Sequence, residues 1–428
     1  MTPGGGPCRS LRFMPHRAPH WGKFQAMSVA DITVQFDDSR ARRNAFILAI
    51  GQALYGSATV IMFTTAGLIG VEIAPSKAWA TLPISAFVIG TALTTIPAAM
   101  LMKRIGRRPG FMLGALAGTI GALVGVYAIY TRSFPLFILA TVLQGVYQAF
   151  AQHSRFAAAD MASPAFRPKV ISWVMTGGVA AGLLGTSLVM FTTDLLAPVT
   201  FAGCYAAMVV ICALAIGVMG FVDIPHKEQS VAAGAVRPLS EILQQPRLLV
   251  AMIAATLSYG MMNLVMTAAP IAMIDCGFTT ANAAWVIQWH VLAMFVPSFF
   301  TGQIIARVGA EKVCATGLIM LGCAAIAGLL GITFGNFAVN LILLGLGWNF
   351  GFIGGTTLLT DCYRPAERAK VQGLNDFAVF GTVAVASLTS GKLLYWFGWG
   401  SVNTAIFPIV AVALSLILWV TLRRRAIA

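Results

Sequence analysis

The chain has 428 residues, of which 58% are hydrophobic and only 10% charged, with a mean hydropathy of +0.83. A soluble domain carries roughly a quarter charged residues, so a soluble protein is excluded; apolar runs of helix length also exclude a β-barrel. The formal charge of +14 invites a nucleic-acid partner, and the placement of the cations removes that invitation.

Residues 1–43 are polar, with Pro, Gly and Arg clusters and no long apolar run. They predict a disordered cytoplasmic tail without the apolar core of a cleaved secretory signal, and Met27 is a second candidate start. Twelve apolar segments follow, each near the 20 residues or so that a helix needs to cross a bilayer. The first six are 45–70, 79–101, 111–130, 135–157, 169–192 and 199–221. The second six are 248–270, 281–305, 313–333, 337–360, 371–393 and 402–422. The polar stretch 223–247 divides a six-helix bundle at 44–222 from another at 248–425. The expected fold is therefore all-α and integral to the membrane.

Lys and Arg set the orientation, because cytoplasmic loops carry the excess. With both termini in the cytoplasm, 25 of the 28 fall in the tail, the inner connections, the linker and the C-terminal end. Only Lys77, Arg132 and Lys392 lie elsewhere. This bias accounts for the net charge without nucleic acid and predicts a multi-pass protein of the cytoplasmic (inner) membrane. Seven scattered Cys make no metal-type Cys-x-x-Cys and read as packing residues.

One turn stands out. Lys103, Arg104, Arg107 and Arg108 lie between two apolar runs, where four cations must sit outside hydrocarbon. Gly106 allows the reversal and Pro109 discourages helix continuation. A weaker copy, Arg307-Val-Gly309, occupies the matching place in the second half and implies an internal duplication.

Two six-helix halves, a central linker and the Arg-x-Gly-Arg-Arg turn together resemble the major facilitator superfamily over about residues 44–425. The family turn reads Gly-x-x-x-Asp-Arg-x-Gly-Arg-Arg/Lys. Arg104, Gly106, Arg107 and Arg108 match it, while Ala99 and Lys103 replace its Gly and Asp. In the second half Gly302, Arg307 and Gly309 match, with Ala306 at the acidic position. The resemblance implies alternating access and a gate at Arg104, Gly106, Arg107, Arg108, Arg307 and Gly309. Two further family patterns are altered: Gln144-Gly145 is preceded by Thr141 where proton-coupled members carry Arg. The glycine run Gly177, Gly178, Gly182, Gly185 ends in Thr186 where antiporters carry Pro.

Candidate binding residues come from polar and aromatic stripes at helical spacing. Gln144 and Gln148 recur four residues apart, and Gln52 and Tyr55 share a face. Tyr259 and Asn263, Gln288 and Trp289, and Trp348 and Asn349 supply the same mixture in the second half. The alternative for each is interhelical packing and hydrogen bonding. His290 is the first candidate for proton coupling and Asp376 the second, because the middle thirds of helices 1, 2, 7 and 10 hold no acid. The glycine run predicts a close helix–helix contact.

No catalytic triad, phosphate loop or metal-ligand spacing is present, so the chain does not read as an enzyme and no cofactor or metal is called for. A channel would need a filter, which nothing here resembles. The expectation is a monomeric secondary carrier of a small neutral or amphiphilic organic solute. Protons are the candidate coupling ion and the lipid bilayer its surroundings. Export is the first reading and import of a flat polar metabolite such as a vitamin the second. A non-transporting membrane receptor or scaffold is the reading from another class.

Overall fold

Hydrocarbon offers no partner for backbone N–H and C=O groups, so an open chain that crosses it must be helical. The computed structural model describes residues 38–154, 157, 162–163, 167–224, 237–364 and 367–427, all within one compact unit, Asp37–Ala428. Residues 1–37 of the predicted tail, Arg155, Asp160 and residues 225–236 of the linker lie outside the described residues.

The first half contains α1 (Asp38–Ile73), α2 (Leu82–Ile105), α3 (Arg107–Tyr130), α4 (Phe134–Ala151), α5 (Arg167–Thr192) and α6 (Ala202–Met219). The second contains α7 (Pro246–Asp275), α8 in two pieces (Thr280–Phe295 and Ser298–Val308), α9 (Ala310–Leu329), α10 (Phe334–Thr360), α11 (Arg368–Thr404) and α12 (Ile406–Ile427). Among the described residues, ten helical stretches are long and apolar enough to span a membrane, and α8, bent by 42° between its two pieces, makes an eleventh. The stretch Lys370–Trp419 counts there as one span of 50 residues, about 75 Å at the helical rise, roughly twice a bilayer core. Gly398, at φ 77°, breaks α11 inside it, so the path is two crossings and the total twelve.

Four boundaries differ from the sequence reading for identifiable reasons. Helix α1 begins at Asp38, whose carboxylate accepts from the backbone N–H and hydroxyl of Ser163 at 2.8 and 2.9 Å. Helix α4 ends at Ala151 rather than 157. Helix α7, with an expected span of 248–270, runs through Pro270 to Asp275. Pro297, which cannot donate to the helical ladder, sits at the break in α8.

The two turns expected to be copies have one geometry. Gly106 has φ 94° and Gly309 φ 93°. Each caps the helix before it by an N–H bond of 2.9 Å, to Met102 and Ile305 respectively, and begins the helix after it. A side chain at such φ is strained, which explains glycine at both places.

The glycine run of α5 serves two neighbours. A Cβ at Gly177 would collide with the Ala49 carbonyl of α1, and one at Gly185 would crowd Ser57 of the same helix. Gly178 and Gly182 instead meet Phe295 and Val291 of α8, in the other half. One helix thus holds its own bundle on one face and the opposing bundle on the next.

The end at which α1 starts is also the linker end. Asn44 and Asp223 exchange two hydrogen bonds, Asn44 Nδ2 donating to the Asp223 carbonyl at 2.7 Å and the Asp223 N–H to Asn44 Oδ1 at 3.0 Å. On the second-half side, the Arg237 guanidinium donates twice to the buried Glu367, at 2.7 and 2.8 Å, its backbone N–H donates at 3.3 Å, and the Arg364 N–H adds a fourth bond at 2.9 Å. The short helix Leu239–Leu243 then buries Ile242 in the second-half core.

These contacts predict two measurements. Leucine at Gly177 should lower the Tm, since overpacking costs about 1–3 kcal/mol, whereas leucine at Gly217, which has open space around it, should leave it unchanged. The Arg237 guanidinium, with the Arg364 N–H, holds the Glu367 carboxyl down to about 2 from an ordinary 4.5. A depressed carboxylate stabilises the fold fully above its unfolded value and loses that contribution as pH falls toward its folded value. Glu367→Gln should therefore lower the Tm by a constant amount from pH 7 to 5, and the gap should narrow below about 4.5. A gap that widens in acid would contradict the ion pair.

Candidate functional site

Carriers built from two bundles place their solute where the bundles meet. Four partly buried apolar side chains pack against the cores of both halves: Phe63 on α1, Tyr259 on α7, Phe352 on α10 and Leu394 on α11. Tyr259 is the hub. Its ring meets Trp348 at 5.4 Å, Phe352 at 5.2 Å and Phe380 at 6.4 Å, all edge to face. Trp348 and Phe352 stack at 5.3 Å and 13°, and Phe295 of α8 approaches Trp348 at 6.3 Å. Helices α7, α8, α10 and α11 therefore build a multi-ring plate on the second-half side of the seam. The Trp348 indole N–H, a donor only, is buried without a partner.

The seam is joined toward the end opposite the linker. Thr186 Oγ1 of α5 donates to Gln288 Oε1 of α8 at 3.2 Å. Lys392 lies over the Trp79 ring at 5.1 Å. A Cβ at Gly391 of α11 would strike Thr81, and Gly67 of α1 faces Ile271 of α7.

The ten binding residues expected from the sequence separate into three groups. Tyr259 and Trp348 belong to the plate, and Gln288 joins the halves. Gln52 and Tyr55 line a void of about 20 Å³ inside the first bundle, with room for about one water. There Ser154 Oγ donates to Gln52 Oε1 at 3.3 Å and Tyr55 meets Tyr147 edge-on at 5.3 Å. Gln148 keeps a buried Oε1 with no partner.

The remainder act as fasteners or face outward. Gln144 Nε2 donates to the Gly118 carbonyl at 2.7 Å and ties α4 to α3. Asn349 donates to the Met294 carbonyl at 2.6 Å and to Ser298 Oγ at 2.7 Å, and accepts from Thr301 at 2.7 Å, across the break in α8. Asn263 donates to Thr267 Oγ1 at 3.3 Å and the Val383 carbonyl at 3.4 Å. Trp289 pairs with Trp285 at 5.6 Å, and both are about 40% exposed, on the α8 face opposite the buried His290. The tryptophans of α8 thus point away from the core that buries His290.

His290 is fully buried, and its Nδ1 donates to the Leu341 carbonyl at 2.8 Å. That fixes the tautomer in the neutral ring and leaves Nε2 as a buried acceptor without a partner. Asp376 is half-buried and accepts from Asn375 at 3.4 Å. It lies eight residues from the linker-end start of α11, whereas His290 lies ten residues from the far-end start of α8.

Of the residues expected to form a gate, Arg104, Arg108 and Arg307 are exposed and Arg107 is half-buried. A triad the sequence reading missed stands at the linker end of the second half. Arg247 reaches Asp361 at 2.9 Å and Glu311 at 3.4 Å. Its one signal was Glu311, two residues after the Gly309 turn. The matching place after Gly106 holds Arg108, so the copied turns have opposite charge there.

The model of the Major Facilitator Superfamily matches residues 47–287 and 251–427. The chain belongs to this superfamily. Among curated relatives it is similar to the riboflavin transporter RfnT of Brucella anthropi, with 46% identity over 88% of this chain and 96% of that protein. It is also similar to the uncharacterized MFS-type transporter YdeG of Bacillus subtilis, with 27% identity over 82% and 86% of the two chains. Among solved structures the nucleoside transporter NupG superposes with a TM-score of 0.70, covering 88% of this chain and 99% of that one at 14% identity. That likeness establishes the fold alone. The chain is thus a transporter of the major facilitator type, as its turn implied.

For the gate, replacing Arg104 and Arg108 together by Ala should slow solute turnover more than it weakens binding, measured as kcat against KM in vesicles. Weakened binding with an intact turnover rate would remove the gating role.

Proposed function

We propose that this protein carries a flat, uncharged, ring-bearing metabolite of the riboflavin kind into the cell across the cytoplasmic membrane. Both termini and the linker lie inside on this reading. The observation that carries it is the plate of Tyr259, Trp348, Phe352 and Phe380 at the seam of the two bundles. Offset and edge-to-face ring contacts contribute roughly 0.5–1.5 kcal/mol each beyond area burial, so a multi-ring solute is favoured over an aliphatic one. No Arg or Lys lies in the middle thirds of the helices, which disfavours phosphorylated forms of the same ring system. The relative named as a riboflavin transporter supports the vitamin reading over export. Access alternates as the bundles rock about the seam, and the joins at Thr186, Gln288, Lys392 and Trp79 are those that must part. Where transport is proton-driven, His290 is the coupling residue, because its Nε2 is a buried acceptor with nothing bound to it. The monomer suffices, since one chain contains both bundles.

Uptake into proteoliposomes tests the reading. Riboflavin should enter saturably and its phosphate should not. Tyr259→Ala should weaken uptake about tenfold, the equivalent of about 1.4 kcal/mol, and Trp289→Ala should change it less than about twofold, being outside the seam. Riboflavin that neither enters nor leaves would overturn the substrate, and efflux faster than influx would restore export. A pH gradient should drive accumulation in wild type and not in His290→Gln; equal accumulation in both would remove His290 from coupling.

A further inference from the structure

A cleft of about 490 Å³ lies on the outer flank of the first bundle at the linker end, between α1 and α5. Arg42 and Arg43 stand at its mouth, Phe46 and Trp173 on its walls, and Ala49 and Thr176 deeper in. The α1 residues recur at helical spacing on one face, while Ala41, Asn44, Ala45 and Leu48 on the other face are buried in the bundle. The cleft ends where the helices touch: Gly177 lets α5 approach the carbonyl of Ala49 itself. Its shape is thus cationic at the rim, aromatic below, and closed by a backbone contact at the bottom.

We propose that this cleft binds an anionic phospholipid of the linker-side leaflet, with its phosphate at Arg42 and Arg43 and the start of an acyl chain along Phe46 and Trp173. Three features favour a lipid over a soluble anion. Phe46 is 68% exposed and Trp173 is also exposed, which is stable against hydrocarbon and unfavourable in water. Basic pockets between transmembrane helices on the cytoplasmic side suit anionic head groups, each cation being worth on the order of 1 kcal/mol there. The volume exceeds what a phosphate fills and accommodates a glycerophosphate with its first methylenes.

Among the described residues a carboxylate shares the rim. Asp223, at the start of the linker, lies 3.5 Å from Arg43 and 4.0 Å from Arg40. All three groups are about half exposed, so these pairs are weak and exchangeable. A lipid phosphate therefore competes with Asp223 for Arg43, while the two hydrogen bonds between Asn44 and Asp223 stay in place.

The test uses the full-length protein in mixed micelles at fixed total lipid. Phosphatidylglycerol should raise the Tm above that in phosphatidylcholine, and Arg42→Gln/Arg43→Gln should lose that difference. Both arginines are exposed, so the variant should fold. Inorganic phosphate at millimolar concentration should leave the Tm unchanged. A second readout is independent of stability: chain-brominated phosphatidylglycerol should quench wild-type fluorescence more than that of Trp173→Phe. Equal shifts from the two lipids, an undiminished shift in the double variant, a shift from inorganic phosphate, or equal quenching of wild type and Trp173→Phe would each overturn the proposal.

Discussion

Inside the membrane every polar group must find its partner in the protein, because hydrocarbon supplies none. Much of this structure is a consequence. Ser57, Thr64, Thr65 and Thr91 all return their hydroxyls to the carbonyl four residues back. The long amides bridge to a neighbouring helix, as Gln144 does to Gly118 and Asn340 to the Ala324 carbonyl at 2.7 Å. Against that background an unpartnered buried atom is conspicuous. Gln148 Oε1, His290 Nε2 and the Trp348 indole N–H are among those that remain. A group of this kind costs about 1–3 kcal/mol when left unpaired, so it marks a place where solute, proton or water supplies the missing bond.

The same constraint explains why glycine, rather than a charged latch, organises the helix contacts. Apolar surfaces gain little from meeting each other in lipid, so association depends on close backbone approach. Helix α5 shows the principle on two faces. Gly177 and Gly185 hold it against α1 inside one bundle, while Gly178 and Gly182 rest on single side chains of α8. The first contact is backbone against backbone and cannot slide without collision. The second is backbone against the flexible rings and methyls of Phe295 and Val291, which tolerates rotation. Thr186 stands where antiporters of the family carry proline; its hydroxyl adds a hydrogen bond across this softer interface instead of a kink.

Length, hydropathy and the placement of Lys and Arg were enough to read twelve helices and the duplicated turn from the sequence, because each is a one-dimensional property. The turn residues Gly106 and Gly309 were legible for the same reason: a φ near 94° restricts the residue type wherever it occurs. The direction in which a side chain points was not legible. Gln144 and Gln148 share a stripe, yet one fastens α3 while the other keeps a free oxygen, and only the position of α3 decides between them. Trp289 and His290 are adjacent and point to opposite sides of α8. The salt-bridge triad of Arg247, Glu311 and Asp361 draws on three helices more than a hundred residues apart in part, so no local pattern announces it. The plate was half visible: Tyr259 and Trp348 were candidates, and Phe352 and Phe380 join them only through the packing of α10 and α11.

The duplicated halves share a backbone plan and divide the chemistry unequally. At the seam the ring plate lies on the second half, whereas the first half contributes Gly178, Gly182 and the Thr186 hydroxyl. That division bears on how alternating access can be reversible. The polar joins at the far end are one hydroxyl–amide bond and one cation–π contact. Such interactions are worth about 1 kcal/mol each, so parting them costs on the order of 2 kcal/mol. A solute bound with micromolar affinity supplies about 8 kcal/mol, of which a fraction differing between the two states is enough to shift the equilibrium. A seam closed by buried ion pairs would be far harder to part, because removing one partner leaves an uncompensated charge in low dielectric. An uncharged plate with weak neutral joins therefore suits an uncharged solute: nothing at the seam must be neutralised before the bundles can rock.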